Sequence, residues 1–132
     1  GTLVGLTVGF ALLGSPVKVL GLDIGKLWKN FPATLAKLAT RLSGVLGEGR
    51  DYRPKDIPLI EERYAGPGYG VKTAETEAAM SLLAGQEGII LDPVYTGKGF
   101  AGVLDLVGRG YFGSEEQVVF LHTGGGPGLF RD

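Results

Sequence analysis

The segment ILDPVYTGKGFAG, residues 90–102, carries three glycines with the spacing G-x-G-x-x-G. A tyrosine, Tyr95, precedes these glycines, and a lysine, Lys98, stands between the first two. Dinucleotide fingerprints use this spacing, and phosphate loops also combine glycines with a lysine. Glycine is equally used where two elements of the backbone approach closely. The rest of the chain distinguishes between these interpretations.

Composition limits the classes of function. The 132 residues suffice for one modest domain with a hydrophobic core. The net charge is −1 and the basic residues are dispersed, so no nucleic-acid partner is expected. The absence of cysteine and the single histidine argue against a disulfide framework or a structural zinc, and no metal is expected. The chain starts with glycine and its only methionine is Met80, so we do not expect an intact translation product.

Hydrophobic periodicity predicts helices that alternate with short strands. The helices are expected at residues 3–13, 32–46, 73–84 and 97–107, and the strands at residues 17–22, 57–62, 88–91 and 117–122. This order favours an α/β fold with an open, mostly parallel sheet and flanking helices. The first apolar run is shorter than the roughly 20 residues of a membrane span, so a cytoplasmic protein without membrane contact is expected.

Two groups of glycines are informative, a stripe along the first predicted helix and a set of three loops. Gly1, Gly5 and Gly9 follow one stripe of the first predicted helix, which predicts close contact between that helix and the sheet. Three loops, at residues 66–69, 95–99 and 122–126, follow predicted strands or lie between predicted elements. Open α/β sheets bind ligands beyond the carboxyl ends of their strands, so these loops predict a ligand site.

Neither of the common glycine motifs fits residues 90–102. A dinucleotide fingerprint places its first glycine directly after a strand, and an acid about 20 residues on ends the next strand. Here residues 92–96 intervene before Gly97, and the acids at residues 115–116 precede the next predicted strand. A phosphate loop requires Ser or Thr after its lysine, but Gly99 follows Lys98.

Three segments taken together carry a family resemblance: GPGYGV at 66–71, DPVYTGKG at 92–99 and VVFLHTGGGPGLF at 118–130. They resemble the D-cysteine desulfhydrase and 1-aminocyclopropane-1-carboxylate (ACC) deaminase family. Its members are pyridoxal-phosphate (PLP) enzymes of fold type II, the tryptophan synthase β-like fold. The resemblance runs from residue 1 to 130 and is loose between 23 and 53. It implies that residues 1–132 are an incomplete chain, a single C-terminal segment of the enzyme's large domain that lacks the Schiff-base lysine.

The resemblance implies that Tyr69 and Tyr95 are catalytic residues that face the cofactor and substrate. A phenol can donate a hydrogen bond, stack on a pyridine ring or relay a proton. The alternative for any tyrosine is a half-buried anchor for a loop. That simpler role is expected for Tyr52, Tyr64 and Tyr111.

The remaining cofactor contacts are expected from two places. Gly1 and Thr2 match the end of the family's phosphate loop, and a helix N-terminus suits a phosphate, although Gly1 alone could be a disordered cut end. His122, Thr123 and Gly124 match the loop along the cofactor. A fixed hydrogen bond is expected of His122 ahead of general-base work.

Thr96 matches the residue that hydrogen-bonds the pyridine nitrogen of the cofactor. ACC deaminases carry glutamate there and leucine in place of Thr123. Both departures favour a desulfhydrase, which would convert D-cysteine to pyruvate, ammonia and sulfide by β-elimination. The alternatives are an ACC deaminase and a non-catalytic module that binds a phosphate ligand.

Lys98 is not expected to be the Schiff-base lysine, which the family carries in its N-terminal part. The resemblance implies that Lys98 packs or forms a pair at the start of its helix instead. The expected partners are a small amino-acid substrate, the absent N-terminal part of the same enzyme and a second copy in a homodimer.

Overall fold

The structure is a computed structural model that describes residues 1–60 and 63–130. Its helices are α1 (Thr2–Leu12), α2 (Phe31–Val45), α3 (Ala74–Glu87) and α4 (Thr96–Gly108), and its strands are β1 (Gly21–Leu22) and β2 (Leu59–Ile60). Two short 3-10 turns lie at Pro54–Asp56 and Gly126–Phe130. β1 and β2 pair in a small parallel sheet with flanking helices, so the predicted α/β class is confirmed.

All four predicted helices form, and the residues at their ends show why. The side chain of Thr73 caps α3 by accepting a hydrogen bond from the Thr76 N–H at 3.2 Å. Gly88 ends the same helix in the left-handed conformation, with a φ of 67°. α3 therefore runs about one turn beyond the predicted residue 84.

Of the four predicted strands, two form in the described part of the chain, and both are shorter than predicted. The strand at residues 17–22 contracts to Gly21–Leu22, and that at 57–62 contracts to Leu59–Ile60, with residues 61 and 62 outside the described part. The strands expected at 88–91 and 117–122 do not form in the described part of the chain, so those two predictions are wrong here. A strand needs the backbone of a neighbour, and no described segment pairs with either one. Their apolar side chains are correspondingly open, with Ile90 62% and Val119 87% exposed.

Residues Gly1–Gly21 and Leu27–Ile60 form one compact unit. Its core joins α1 to α2 and the segment before β2, and consists of Val4, Val8, Leu35, Ala36, Ala39, Tyr52 and Ile57. The two alanines are 3% and 0% exposed, whereas Leu38 of the same helix is 42% exposed. Small side chains on α2 thus let α1 pack closely.

The glycine stripe of α1 does not make the expected contact with the sheet. A Cβ built on Gly5 or Gly9 meets no atom of the described residues within 4 Å, apart from the helix's own backbone and chain neighbours. The contact is made at Gly21 of β1 instead, where a Cβ would lie 2.5 Å from a methyl group of Leu3. The sheet glycine, not the helix glycines, provides the space for this packing.

Leu22–Lys26 and residues 63–130 form the second compact unit, in which α3 packs against α4. Its buried apolar residues are Ala65, Ala79, Leu91 and Leu106. Four polar side chains are buried with them, namely Thr76, Asp92, Thr96 and Lys98. Three of these lie at the start of α4 or just before it, so the chemistry of this unit is concentrated there. Among the described helices, none is long and apolar enough to cross a membrane.

Candidate active site

The loop before α4 is organised by the carboxylate of Asp92, which is 1% exposed. One carboxylate oxygen accepts from the N–H of Thr96 at 2.8 Å and from its hydroxyl at 2.7 Å. The other accepts from the N–H groups of Val94 and Tyr95, both at 2.8 Å. Burial by itself raises the pKa of Asp92, but the hydrogen bonds from Thr96, Tyr95 and Val94 outweigh burial and hold the pKa below its ordinary value. A carboxylate therefore satisfies the free amides at the start of α4.

Thr96 lies directly behind this carboxylate and is 4% exposed. Its hydroxyl donates to Asp92 and accepts from the Asp92 N–H at 3.0 Å. A hydroxyl has a single proton to donate. To donate to a pyridine nitrogen, as expected from the resemblance, Thr96 would have to release Asp92.

The two predicted catalytic tyrosines are brought together. The hydroxyl groups of Tyr69 and Tyr95 are in hydrogen-bond contact, and their rings meet edge to face with centroids 5.8 Å apart. Both side chains remain open, with 43% and 47% exposed respectively. Tyr69 follows the glycine-rich turn at residues 66–68 and Tyr95 precedes α4, so two separate loops supply the pair.

Lys98 lies inside the protein and faces away from solvent, with 1% of its side chain exposed. Its ammonium donates to the carbonyl oxygen of Ala65 at 2.6 Å and to that of Gly68 at 2.9 Å. Burial lowers its pKa below the ordinary value for lysine. Lys98 thus binds the turn before Tyr69, in keeping with the expectation that it packs at the start of its helix.

Packing explains two of the three glycines in the quoted segment, Gly97 and Gly102. A Cβ on Gly97 would lie 2.7 Å from the Asp92 carbonyl oxygen and 2.9 Å from Cγ of Met80 on α3. A Cβ on Gly102 would lie 2.5 Å from a methyl group of Leu22, whereas one on Gly99 would make ordinary contact with Phe120. Close approach of neighbouring elements, not a phosphate, requires Gly97 and Gly102.

The third glycine-rich loop, residues 122–126, contacts the segment that precedes α4. His122 contacts the Ile90 carbonyl oxygen through Nε2 at 3.1 Å and accepts from the Gly124 N–H through Nδ1 at 3.2 Å. Both ring nitrogens therefore serve fixed hydrogen bonds. Gly124 and Gly125 adopt φ values of 107° and 103°, which favour glycine. A Cβ on Gly125 would collide with the Asp92 carboxylate, so this loop lies against the loop before α4.

Three further residues were predicted to contact the cofactor, namely Gly1, Thr2 and Thr123. Gly1 precedes α1 and accepts from the Gly5 N–H at 3.0 Å, while Thr2 is the first residue of the helix and no side chain caps it. Both belong to the first compact unit, whereas the tyrosines, Thr96 and the His122 loop belong to the second. Thr123 is exposed beside His122. The phosphate role of the first two residues stays a prediction.

Sequence reasoning missed Asp92 as a residue that builds this site, and it did not identify the partners of Lys98. Asp92 had a recognisable signal, since an aspartate just before a turn commonly accepts from backbone amides two to four residues later. The burial of Lys98 had none, because its partners are backbone carbonyls 33 and 30 positions away. No group of three or more potential metal ligands occurs among the residues that the structure describes.

The chain is similar to known proteins both in sequence and in fold. A family model described as pyridoxal-phosphate dependent enzyme matches residues 1–124. The ACC deaminases of Allorhizobium ampelinum and Methylobacterium nodulans are 42% and 41% identical over 125 residues, which cover 95% of this chain and 37% of each relative. A crystal structure of an ACC deaminase homologue matches with a TM-score of 0.74 and 34% identity, over 85% of this chain and 33% of that one. The chain spans little more than a third of the length of the curated relatives it matches.

Proposed function

Because the chain belongs to the family of pyridoxal-phosphate-dependent enzymes, we propose that the complete protein is a PLP-dependent lyase whose first substrate to test is ACC. The similarity to ACC deaminases over 95% of this chain carries the proposal. It gives ACC more support than D-cysteine, the substrate favoured from Thr96 and Thr123. The activity is a property of the complete protein, since this chain spans about 37% of those relatives.

The residues of the second unit fit one side of a PLP site. Bound PLP supplies an electron sink that stabilises negative charge next to the amino group of the substrate. Tyr69 and Tyr95 present open phenols that can stack on an aromatic ring or hydrogen-bond to it. A Cβ on Gly124 would meet no atom of the described residues within 4 Å, so the backbone there leaves room for a ligand. Thr123, beside it, is exposed and offers a hydroxyl.

The tyrosine pair can hold and move a proton. Its hydroxyls are in contact, so one proton lies between two oxygens, and either phenol can pass a proton on to a substrate atom. Asp92 orients Tyr95 through its backbone N–H, and Lys98 binds the turn before Tyr69. In this proposal Tyr69 and Tyr95 are the catalytic residues, and His122, Thr123 and Gly124 hold the cofactor. Gly1 and Thr2 are proposed to face its phosphate.

β-Elimination of D-cysteine is the second candidate function. It is favoured by the threonines at positions 96 and 123, where the resemblance expects glutamate and leucine in an ACC deaminase. A neutral hydroxyl near the pyridine nitrogen would leave the ring a weaker electron sink than a carboxylate would. The Thr96 hydroxyl already donates its only proton to the Asp92 carboxylate. This hydrogen bond argues against a role of Thr96 as a donor to the pyridine nitrogen.

Steady-state kinetics of the complete, PLP-loaded protein test the proposal. Ammonia release is measured with ACC and with D-cysteine, and kcat/KM is compared. A higher kcat/KM for ACC supports the deaminase. A higher kcat/KM for D-cysteine contradicts the deaminase and supports the desulfhydrase. Release from neither substrate, in protein shown by absorbance to hold PLP, would reject both.

We also propose that the open segments at residues 88–91 and 117–122 pair with an N-terminal part of the same protein, which would carry the Schiff-base lysine. A homodimer of the complete protein is a further proposal. Light scattering at working concentration tests it, and a stable monomer would contradict it.

A further inference from the structure

The ammonium of Lys98 is buried, and the proposed chemistry assigns it no contact with the substrate or the cofactor. Among the described residues, Lys98 is the largest side chain that is fully buried. Its two partners, the carbonyl oxygens of Ala65 and Gly68, lie at the two ends of one glycine-rich turn. Burying a cation requires compensation by hydrogen-bond acceptors, and these two carbonyls provide it.

The hydrogen bonds from Lys98 connect the segment that carries Tyr95 to the turn that precedes Tyr69. Lys98 lies in the first turn of α4, three residues after Tyr95, which directly precedes that helix. Tyr69 follows Gly68 directly, so a group that holds the Gly68 carbonyl also holds the start of Tyr69. Within the same turn, the Val71 N–H also donates to the Gly68 carbonyl oxygen at 3.3 Å, and Gly66 adopts a φ of 67°.

We propose that Lys98 is a positioning residue for the tyrosine pair. By binding both carbonyls of the turn, its ammonium fixes Tyr69 beside Tyr95, so that the two hydroxyls meet where a substrate proton is handled. The proposal rests on the proposed function in one respect, namely that the pair meets the substrate. The contact between the turn and α4 is independent of the substrate and is tested separately.

The test compares Lys98→Met with Lys72→Met in the complete, PLP-loaded protein. Methionine is unbranched and of similar length but has no donor, so it removes the bonds to the turn and leaves the packing. Lys72 lies on the same loop, and its ammonium pairs with Glu77 at 2.5 Å near the surface. We expect Lys98→Met to lower kcat about tenfold or more with KM within about threefold, since proton transfer is lost and binding is kept. The control is expected to stay within about twofold.

Amide exchange provides a readout that needs no substrate. In Lys98→Met we expect residues 66–71 to exchange about tenfold faster, with α3 unchanged, because local opening of the turn becomes easier. Unchanged exchange in this segment would overturn the proposal. If the protein releases ammonia from neither substrate, the proposed function fails, while the exchange result still decides whether Lys98 holds the turn.

A double-mutant cycle separates positioning from general stability. If Lys98 acts through Tyr69, then Tyr69→Phe with Lys98→Met should be no more than about twofold slower than Tyr69→Phe alone. Multiplicative losses would show that Lys98 acts elsewhere and would overturn the proposal. Should Lys98→Met fail to fold, Lys98→Gln, which keeps an amide donor, replaces it. Failure of both variants to fold would assign Lys98 to folding alone.

Discussion

At the scale of single residues, Asp92 connects the loop before α4 to the glycine-rich loop after His122. Its carboxylate accepts four hydrogen bonds, and Gly125 lies so close that no side chain could be added there. Asp92 is not expected to touch a substrate, because it is buried. Its role is to orient Tyr95 and to set the distance between the two loops.

We predict that Asp92→Asn lowers the free energy of unfolding of the complete protein by about 1.5–3 kcal/mol at pH 7. The amide keeps one acceptor oxygen and turns a donor towards backbone N–H groups. Because the pKa of Asp92 is lowered in the folded state, its contribution is present above the ordinary pKa of about 4 and is lost as the pH falls through the folded value. Urea unfolding between pH 7 and pH 3 measures this.

The control for this substitution is Asp51→Asn, since the Asp51 carboxylate is exposed. It should change stability by no more than about 0.5 kcal/mol at any of these pH values. The variant Asp92→Asn should also lose stability less steeply than the wild type below about pH 4. Equal slopes for the wild type and this variant would contradict the assigned role.

The tyrosine pair gives a second prediction at this scale. Tyr95→Phe and Tyr69→Phe each remove one hydroxyl and keep the ring, so PLP binding should be retained while kcat falls about 10²-fold or more. Tyr111→Phe is the matched control, because the ring of Tyr111 packs on Phe112 and is 57% exposed. Turnover of ACC and D-cysteine, with PLP absorbance, measures both effects. If either variant keeps wild-type kcat, that tyrosine is a loop anchor only.

Much of the site was predictable at this scale, and the reason is local. Tyr69, Tyr95, His122 and Gly124 lie in short motifs, and the structure brings their loops together in one unit. Lys98 was not predictable as a ligand of the turn, because no local pattern specifies which backbone carbonyls a distant turn will present. Buried polar contacts over long sequence separations depend on tertiary packing.

At the scale of elements, the packing of α3 against α4 depends on the absence of a side chain at Gly97. We predict that Gly97→Ala destabilises the complete protein by about 1–3 kcal/mol, since its Cβ would press on the Asp92 carbonyl oxygen and on Met80. The new methyl group of Gly108→Ala, in the same helix, would meet no other packed element of the described chain within 4 Å and should instead stabilise by about 0.5–1 kcal/mol. Thermal unfolding of both variants measures the difference. A stabilising Gly97→Ala would mean that the two helices are not packed this closely.

Helices were predictable and strands were not, for a physical reason that these elements illustrate. α3 carries its own signals, a threonine cap and a terminal glycine, and its backbone bonds are internal. The segment at 117–122 contains four consecutive apolar residues, two of them valines, but its backbone groups need another segment to bind. In the described part of the chain it packs only through side chains, with Phe120 against Phe100 at 5.4 Å between ring centroids.

At the scale of the whole molecule, the open apolar segments predict how this chain differs from the complete protein. Ile89, Ile90, Val118, Val119 and Leu121 are between 43% and 87% exposed. We predict that residues 117–122 exchange their amides quickly in this chain alone and at least about 100-fold more slowly in the complete protein, because strand pairing protects them. Exchange measured by mass spectrometry on both proteins checks this. Equal rates would show that these residues pair with nothing in the complete protein.

The packing role of Gly97 and Gly102 also bears on how glycine patterns are used to assign nucleotide binding across genomes. A pattern search registers that a side chain is missing but not what occupies the vacated space. Here the occupants are Met80 and Leu22, and a scan for G-x-G-x-x-G would count this chain among dinucleotide-binding proteins. Requiring that the first glycine follow a strand directly would remove such false positives, since five residues separate Gly97 from Leu91, the end of the only strand that the sequence predicts nearby.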